Sequence, residues 1–197
     1  MTLTGNPNAT QLQTINNATT GTVFVSDKAV TLTGSAAVLA EALAGTVTDT
    51  SSAQIAGTVT VNNQANTDVA ATLLSTIGAG SGGTVSVTAA VNITGNTTQL
   101  IDALDTKGVT ASTANIVLSD TPTVGNLQTL NNKTSGSIKI SNGAITYSGS
   151  ATVLSEALAG TVTDGSGNGL TGNMTLTGNP NACLLYTSPS PRDTIRS

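Results

Sequence analysis

The stretch QLQTINNATTGTVFVSDKAVTLTGSAAVLAEALAGTVTD, residues 11–49, returns 115 residues later as NLQTLNNKTSGSIKISNGAITYSGSATVLSEALAGTVTD, residues 126–164. Twenty-four of the 39 aligned positions are identical. Self-similarity at a fixed spacing is typical of proteins built from stacked repeats, in which each unit buries its apolar face against a neighbour. We therefore expect a repeat array.

A finer period links the apolar centres of the short threonine-rich segments, which recur about every 29 residues. These centres are Leu3, Leu32, Val61, Ile93, Leu118, Tyr147 and Leu176. Every second centre matches best, so the pattern predicts a 58-residue double repeat made of 29-residue coils. We expect all seven centres to face inward within one ladder of parallel strands.

Each coil has the same predicted order of elements. In VTLTG, residues 30–34, apolar and hydroxyl residues alternate as they do in a half-buried strand. The following SAAVLAEALAG places Val38, Leu39, Ala42 and Leu43 on one helical stripe, which Gly45 ends. A second short strand closes the coil. The predicted fold is an α/β solenoid of about six coils, each of strand, short helix and strand, with parallel strand ladders.

The segments that connect the strands also allow an alternative fold. Asn142-Gly143 lies between two alternating segments, and this dipeptide is a strong signal for a tight hairpin. It would make the chain a set of α+β units with antiparallel hairpins. The equivalent corners at residues 27–28 and 49–56 differ in length and composition, which a solenoid corner tolerates better than a hairpin register does.

Composition excludes several classes of function. The 197 residues carry a net charge of −4, with 8% charged and 2% aromatic residues, no histidine and one cysteine. Such a chain lacks the basic, aromatic surface that binds nucleic acid, and it has no apolar run long enough for membrane insertion. We expect no enzyme and no cofactor, because a unique cluster of catalytic residue types is missing.

Two features of the sequence concern its ends. CLLYTSPSPRDTIRS, residues 183–197, departs from the repeats, and its CLLYTSPSPRD portion resembles the translation of an adapter used in shotgun sequencing. MTLTGNPNA at residues 1–9 recurs unchanged at residues 174–182. We expect residues 1–182 to be a fragment of a longer array and residues 183–197 to be a non-native tail.

One segment has the opening of a calcium loop. In DGSGNG, residues 164–169, Asp164, Ser166 and Asn168 supply oxygen atoms at alternate positions, and Gly169 allows a sharp turn. The bidentate glutamate of such loops is missing, since Thr175 stands in its place. The alternative is a turn made of aspartate, glycine and asparagine.

Pairs of threonines on the strands form a candidate binding face. The pairs are Thr2 and Thr4, Thr31 and Thr33, and Thr175 and Thr177. Stacked in register, their hydroxyls would make a grid that resembles the surface of ice-binding solenoids and would suit ice or polysaccharide. The alternative is a solvent-facing surface of high β-propensity.

Acidic residues are assigned structural roles. Glu41 and Glu156 recur at equivalent repeat positions, which favours a structural role over a unique active site. Asp102 and Asp105, spaced by three residues, are expected on a solvated helix face.

The stretches VTLTGSAAVLAEALAGTVTD, residues 30–49, and LSDTPTVGNLQTLNNKTSGSI, residues 118–138, resemble repeats of very large secreted or surface-exposed bacterial proteins of adhesin type. The resemblance implies an extracellular or cell-surface location and further repeats of the parent chain at both ends. It implies a structural or adhesive spacer without catalysis. A ligand-binding solenoid face for ice or polysaccharide is the alternative function.

Overall fold

The computed structural model describes residues 1–45 and 47–178. Within these residues the chain is a mixed α/β protein with six α-helices and thirteen short strands. The helices are α1 (Ala9–Asn17), α2 (Ala36–Leu43), α3 (Ala71–Gly80), α4 (Thr97–Ile101), α5 (Val124–Asn131) and α6 (Ala151–Ala157). A π-helical segment, Asp102–Thr106, continues α4.

The strands are two to four residues long, and one to three of them separate successive helices. They are β1 (Thr2–Leu3), β2 (Val23–Val25), β3 (Leu32–Gly34), β4 (Val47–Asp49), β5 (Val59–Val61), β6 (Asp68–Ala70), β7 (Val85–Val87), β8 (Asn92–Gly95), β9 (Asn115–Leu118), β10 (Ile138–Ile140), β11 (Tyr147–Gly149), β12 (Val162–Asp164) and β13 (Met174–Leu176).

Every pair of these strands is parallel. The four sheets have the orders β1-β2-β4, β3-β5-β7, β6-β8-β9-β10-β12 and β11-β13. The prediction of parallel ladders is confirmed. The antiparallel hairpin alternative is wrong for the corner at Asn142-Gly143, because β10 pairs with β9 and β12 while β11 pairs with β13.

The predicted register is wrong. Leu3 pairs with Val25 rather than with Leu32, and these two centres lie in different sheets. Three predicted pairs of strands do form, β3·β5, β8·β9 and β11·β13, but their register is shifted by two residues, so that Leu32 pairs with Val59 and not with Val61. Paired residues lie 22 to 27 positions apart, and one helix separates each strand from its partner. Successive helices pack against each other in chain order. The 29-residue spacing therefore joins hydrogen-bonded strands in three of its six steps, and in the other three it joins strands of similar pattern that belong to different sheets.

The internal duplication is reproduced in the strand pairing. Val23 pairs with Val47, and Ile138 pairs with Val162, each partner shifted by 115 residues. In the same way β1·β2 corresponds to β9·β10, and β3·β5 corresponds to β11·β13. The two related sequences thus form the same local arrangement twice.

The core is aliphatic. It contains the inward residues of the strands and one stripe of each helix, among them Leu12, Leu39, Ile93 and Leu127, all fully buried. Of the seven predicted inward centres, Leu32, Val61, Ile93, Leu118 and Tyr147 are buried and Leu3 is half-buried. The prediction is wrong for Leu176, of which 42% is exposed, on a strand that within the described residues pairs on one side.

Capping residues set the ends of the helices. The side chains of Asn8 and Asn96 each accept a hydrogen bond from the backbone N–H of the third helical residue, a glutamine whose side-chain oxygen accepts from the asparagine backbone N–H in return. Ser35 and Ser150 cap α2 and α6. After α2, Gly45 adopts a φ of +74°, as predicted for the residue that stops the helix.

Glycine allows two backbone segments of neighbouring coils to come into direct contact at two positions. A methyl group on Gly57 would overlap the backbone carbonyl of Val30, and one on Gly172 would overlap that of Ile145. These two sites are 115 residues apart, so the same close contact occurs in both copies.

Residues 183–197, predicted to be a non-native tail, lie outside the described part of the chain. Among the described residues, none of the helices has the length and apolar character needed to cross a membrane.

Candidate functional site

The six threonines predicted to form a grid are all exposed but do not stack on one another. Thr2 lies on β1, Thr33 on β3 and Thr175 on β13, and these strands belong to three different sheets. Thr4, Thr31 and Thr177 follow or precede the same strands. The prediction of a grid from these three pairs is therefore wrong, because the strands that carry them are not hydrogen-bonded to one another.

The pairing creates another hydroxyl row that the sequence did not indicate. Thr33 pairs with Thr60, and Thr60 pairs with Ser86, so three hydroxyl residues lie side by side across β3, β5 and β7. Ser86 also bridges to Thr110. Adjacent strands lie about 4.8 Å apart, which sets the repeat of this row. The row occupies the side of the sheet opposite the buried valines.

The calcium candidate is organised as a turn. Asp164 Oδ1 accepts hydrogen bonds from the backbone N–H of Ser166 at 2.9 Å and of Asn168 at 2.8 Å. The backbone N–H of Asp164 donates to the Asn168 carbonyl at 2.8 Å. The structure thus brings Asp164, Ser166 and Asn168 together, with the carboxylate bonded to amide hydrogens.

Its sister loop has the same geometry without the sequence of a calcium loop. Asp49 Oδ1 accepts from the backbone N–H of Ser51 and Ala53 at 2.8 and 2.9 Å, and from Ser51 Oγ at 2.7 Å. Ser52 has a φ of +66°, and Gly167, at the equivalent position, has a φ of +83°. The Ser51 hydroxyl and then the Ala53 amide lower the pKa of Asp49. Because the geometry recurs with a different sequence, these aspartates close corners of the fold.

No group of three or more histidine, cysteine, aspartate or glutamate side chains is placed to hold a metal ion in residues 1–45 and 47–178.

Glu41 is the centre of a polar contact between α1 and α2. Its Oε2 accepts from Gln13 Nε2 at 2.8 Å and from Asn17 Nδ2 at 3.0 Å. Asn16 Nδ2 donates to the backbone carbonyls of Glu41 and Ala44, at 2.8 and 2.7 Å. These carbonyls lie at the end of α2 and have no partner within the helix, so Asn16 caps α2 from its neighbour. The Asn17 and then the Gln13 amide lower the pKa of Glu41.

The same contact joins α5 to α6. Gln128 Nε2 donates to Glu156 Oε2, and Asn131 Nδ2 donates to the carbonyls of Glu156 and Ala159 at 2.7 and 3.1 Å. The structural role predicted for Glu41 and Glu156 agrees with this geometry. Their amide partners were missed, although Gln13 and Asn16 are identical to their counterparts in the second copy.

A second polar row follows the start of the five-stranded sheet. Asn92 Nδ2 donates to Asp68 Oδ1 and Asn115 Nδ2 donates to Asn92 Oδ1, both at 3.1 Å. Asn115 Oδ1 then accepts from Ser137 N–H and Oγ at 3.0 and 2.9 Å. These side-chain hydrogen bonds therefore join each coil to the next, beside the backbone hydrogen bonds of the strands.

Asp102 and Asp105 lie on the π-helical segment and have different surroundings. Asp105 forms a 2.7 Å ion pair with Lys133, which follows α5. This partly exposed pair contributes little to stability by itself, about 0 to 1 kcal/mol. Its significance is positional, since it again joins one coil to the next.

Two shallow grooves are present on the described surface. One, of about 320 Å³, lies between β1 and α1 and is lined in part by Leu3, Pro7, Gln11 and Ile15. The other, of about 240 Å³, adjoins the Glu156 contact. Side chains in both are amides, hydroxyls, aliphatics and one carboxylate, which suits packing and hydrogen bonding.

Neither protein-family models, nor curated protein sequences, nor solved structures gave a match to this chain. The function is therefore inferred from the sequence and the geometry.

Proposed function

We propose that the chain is a structural or adhesive repeat spacer, an α/β solenoid of about six coils within a large extracellular bacterial protein. The observation that carries this proposal is the recurrence of the same contact between coils: Gln13 with Glu41, and Gln128 with Glu156. A catalytic or binding centre needs one unique cluster, whereas a spacer needs one contact repeated along its length.

The use of polar groups supports a structural role. Asn63 Oδ1 accepts from the N–H of Ala36 at the start of α2, and Asp120 Oδ1 accepts from the N–H and hydroxyl of Thr97 at the start of α4. In both cases a side chain from the following coil caps a helix of the preceding one. Carboxylates and amides that could act on a ligand are thus bonded within the fold.

The parallel ladders support a solenoid arrangement. Each step along a ladder contains one helix, so a strand and a helix are added together with every coil. An arrangement of this kind can be lengthened by adding coils without altering those already present. We infer that further repeats of the parent chain pack at both ends.

The extracellular setting is proposed from the resemblance of residues 30–49 and 118–138 to adhesin-type repeats. The near absence of aromatic residues and the abundance of threonine fit a thin, hydroxyl-covered array.

A second candidate function is supported by one observation, the hydroxyl row at Thr33, Thr60 and Ser86. In-register hydroxyls on parallel strands could bind ice or a polysaccharide through repeated hydrogen bonds. We rank this candidate below the spacer, because the row occupies one sheet and the other sheets do not continue it.

A binding assay separates the two candidates. The intact chain is tested against an array of immobilised polysaccharides and for inhibition of ice recrystallisation, next to the Thr33→Val and Thr60→Val variants. The spacer proposal expects no saturable binding and no difference between the proteins. Saturable binding that either variant weakens at least about tenfold would replace the spacer by the second candidate.

A further inference from the structure

The connection between β10 and β11 contains an asparagine that is followed by a glycine. This pair, Asn142-Gly143, is one of two in the chain, and the other is Asn168-Gly169. Because glycine has no side chain, its peptide nitrogen can come close to the carboxamide carbon of the asparagine before it. Attack of this nitrogen on that carbon releases ammonia and changes the asparagine. Each pair therefore contains the groups for a reaction of the chain with itself.

The side chain of Asn142 is held in the direction that this reaction needs. Its Oδ1 accepts a hydrogen bond from the backbone N–H of Ala144 at 3.2 Å, so the carboxamide is folded back over the Gly143 peptide bond. The same hydrogen bond stabilises the negative charge that develops on Oδ1 when the carboxamide carbon is attacked. Within the described residues the N–H of Gly143 donates to no other group, so the attacking nitrogen is not engaged elsewhere.

The backbone distinguishes the two asparagines. Asn142 is exposed, and within the described residues neither its backbone N–H nor its carbonyl forms a hydrogen bond. At Asn168 both groups are bound, since the N–H donates to Asp164 Oδ1 and the carbonyl accepts from the Asp164 N–H, each at 2.8 Å. Attack requires rotation of the backbone around the asparagine until the nitrogen reaches the carbon. The fold therefore permits the reaction at Asn142 and restrains it at Asn168.

The first copy of the repeat has an aspartate at the position of Asn142. Asp27 Oδ1 accepts from the backbone N–H of Ala29 at 2.9 Å. In the second copy Asn142 Oδ1 accepts from Ala144 in the same way. This connection therefore accommodates a carboxylate in place of the carboxamide and keeps the same hydrogen bond.

We propose that Asn142 is a site of spontaneous deamidation, selected over Asn168 by the fold. The nitrogen of Gly143 forms a bond to Asn142 Cγ, the bond between Cγ and Nδ2 breaks, and ammonia leaves with the proton that the Gly143 nitrogen gives up. Water then opens the succinimide ring at one of its two carbonyls and yields aspartate or isoaspartate. The reaction consumes only water and involves no change of oxidation state. It does not depend on the spacer role.

The two products differ in their effect on the fold. The Gly143 carbonyl accepts from the N–H of Thr171 at 2.8 Å, and in the first copy the Lys28 carbonyl accepts from the N–H of Ala56 at 2.7 Å. This bond between neighbouring coils is thus compatible with an aspartate in the preceding position. Isoaspartate adds a methylene to the backbone directly before Gly143 and displaces its carbonyl. We expect the aspartyl product to keep the native fold and the isoaspartyl product to be destabilised.

Peptide mass spectrometry compares the two asparagines within one protein. The full-length chain is incubated at neutral pH, either in buffer or in concentrated guanidinium chloride, and is then digested at mildly acidic pH, which suppresses further reaction. Loss of the amide raises the mass of the peptide by about one unit. In buffer we expect Asn142 to convert well before Asn168, the matched control. In guanidinium chloride, where neither is held by the fold, the two rates should be similar.

Variants test the product and the origin of the new charge. Asn142→Asp should match the fresh wild-type protein in circular dichroism and in melting temperature. Asn142→Gln has one more methylene and does not close the succinimide ring, so on ageing it should acquire the acidic form more slowly than the wild type. The proposal is overturned if the ratio of the Asn142 and Asn168 rates is the same with and without guanidinium chloride. It is also overturned if Asn168 converts first in buffer, or if Asn142→Gln acquires the acidic form as fast as the wild type.

Discussion

Gln13 Nε2 donates to Glu41 Oε2 across 2.8 Å, and Gln128 makes the same bond to Glu156 115 residues further along the chain. In both copies the neighbouring asparagine, Asn16 or Asn131, caps the carbonyls at the end of the second helix. The carboxylate and the cap together fix how one helix lies on the next. This contact is the clearest link between the repeated sequence and the repeated structure.

The Glu41 contact makes stability depend on pH. Hydrogen bonds from Asn17 and Gln13 hold the pKa of Glu41 below its usual value, so the unfolded state binds protons more readily. This contribution is present above the unfolded pKa of about 4.3 and is lost as pH falls through the folded pKa. Urea midpoints between about pH 2 and pH 6 should rise with pH, and less steeply in Glu41→Gln. Equal slopes in the two proteins would contradict the assignment.

Tyr147 is expected to tolerate loss of its hydroxyl. The side chain is 3% exposed and its hydroxyl has no hydrogen-bond partner, so Tyr147→Phe should leave the free energy of unfolding unchanged or raise it by about 1 kcal/mol. Burial raises the pKa of Tyr147 to about 12, so the wild-type protein should lose stability as pH rises above about 10 and the variant should lose less. Chemical denaturation at pH 7 and pH 11 checks both points. A clear decrease in the free energy of unfolding of Tyr147→Phe at pH 7 would show that the hydroxyl forms a hydrogen bond.

Core leucines are expected to dominate stability. Leu39 is fully buried, and Leu39→Ala should lower the free energy of unfolding by about 2 to 5 kcal/mol. Lys139→Ala, at an exposed position on β10, should change it by less than about 0.5 kcal/mol. Hydrogen exchange should show protection lost first in the coils on either side of Leu39. A uniform loss of hydrogen-exchange protection over the whole chain would argue against coils that are stabilised by contacts with neighbouring coils.

The glycine at the strand corner should not accept a side chain. Gly57→Ala is expected to destabilise the fold, because the new methyl group would overlap the Val30 carbonyl, which is backbone and cannot turn aside. Gly169→Ala is the matched control, since nothing lies within 4 Å of that position. Thermal unfolding of the two variants should differ clearly. Similar melting temperatures would contradict the close contact between Gly57 and the Val30 carbonyl.

The duplication, the parallel pairing and the helix around Leu39 could be predicted from the sequence. Three of the strand pairs, β3·β5, β8·β9 and β11·β13, could also be predicted, but the register and the remaining partners could not. Apolar residues alternate in the same way around Val25 and around Leu32, and this alternation shows which face of a strand is buried but not which strand lies beside it. The pattern therefore predicts Leu32 as the neighbour of Leu3, whereas Val25 is its partner. The threonine grid depended on that register and was wrong with it.

The polar contacts were predictable only in part. Glu41 and Glu156 could be recognised because they recur, but Asn63 and Asp120 could not. Each caps a helix that belongs to another coil. Capping patterns in a sequence describe residues within a few positions of the helix start, and these caps come from 27 and 23 residues away.

The length of the array is the most direct test of the spacer proposal. A second copy of residues 1–58 is inserted after residue 58, where the new junction repeats the sequence that follows residue 173. Small-angle X-ray scattering then compares the two proteins. The inserted unit adds two strand steps and two packed helices, so the maximum dimension should grow by about 10 to 20 Å. The cross-sectional radius of gyration should stay constant. A thicker cross-section, with overall size growing by only about a tenth as in a compact globule, would contradict the proposal.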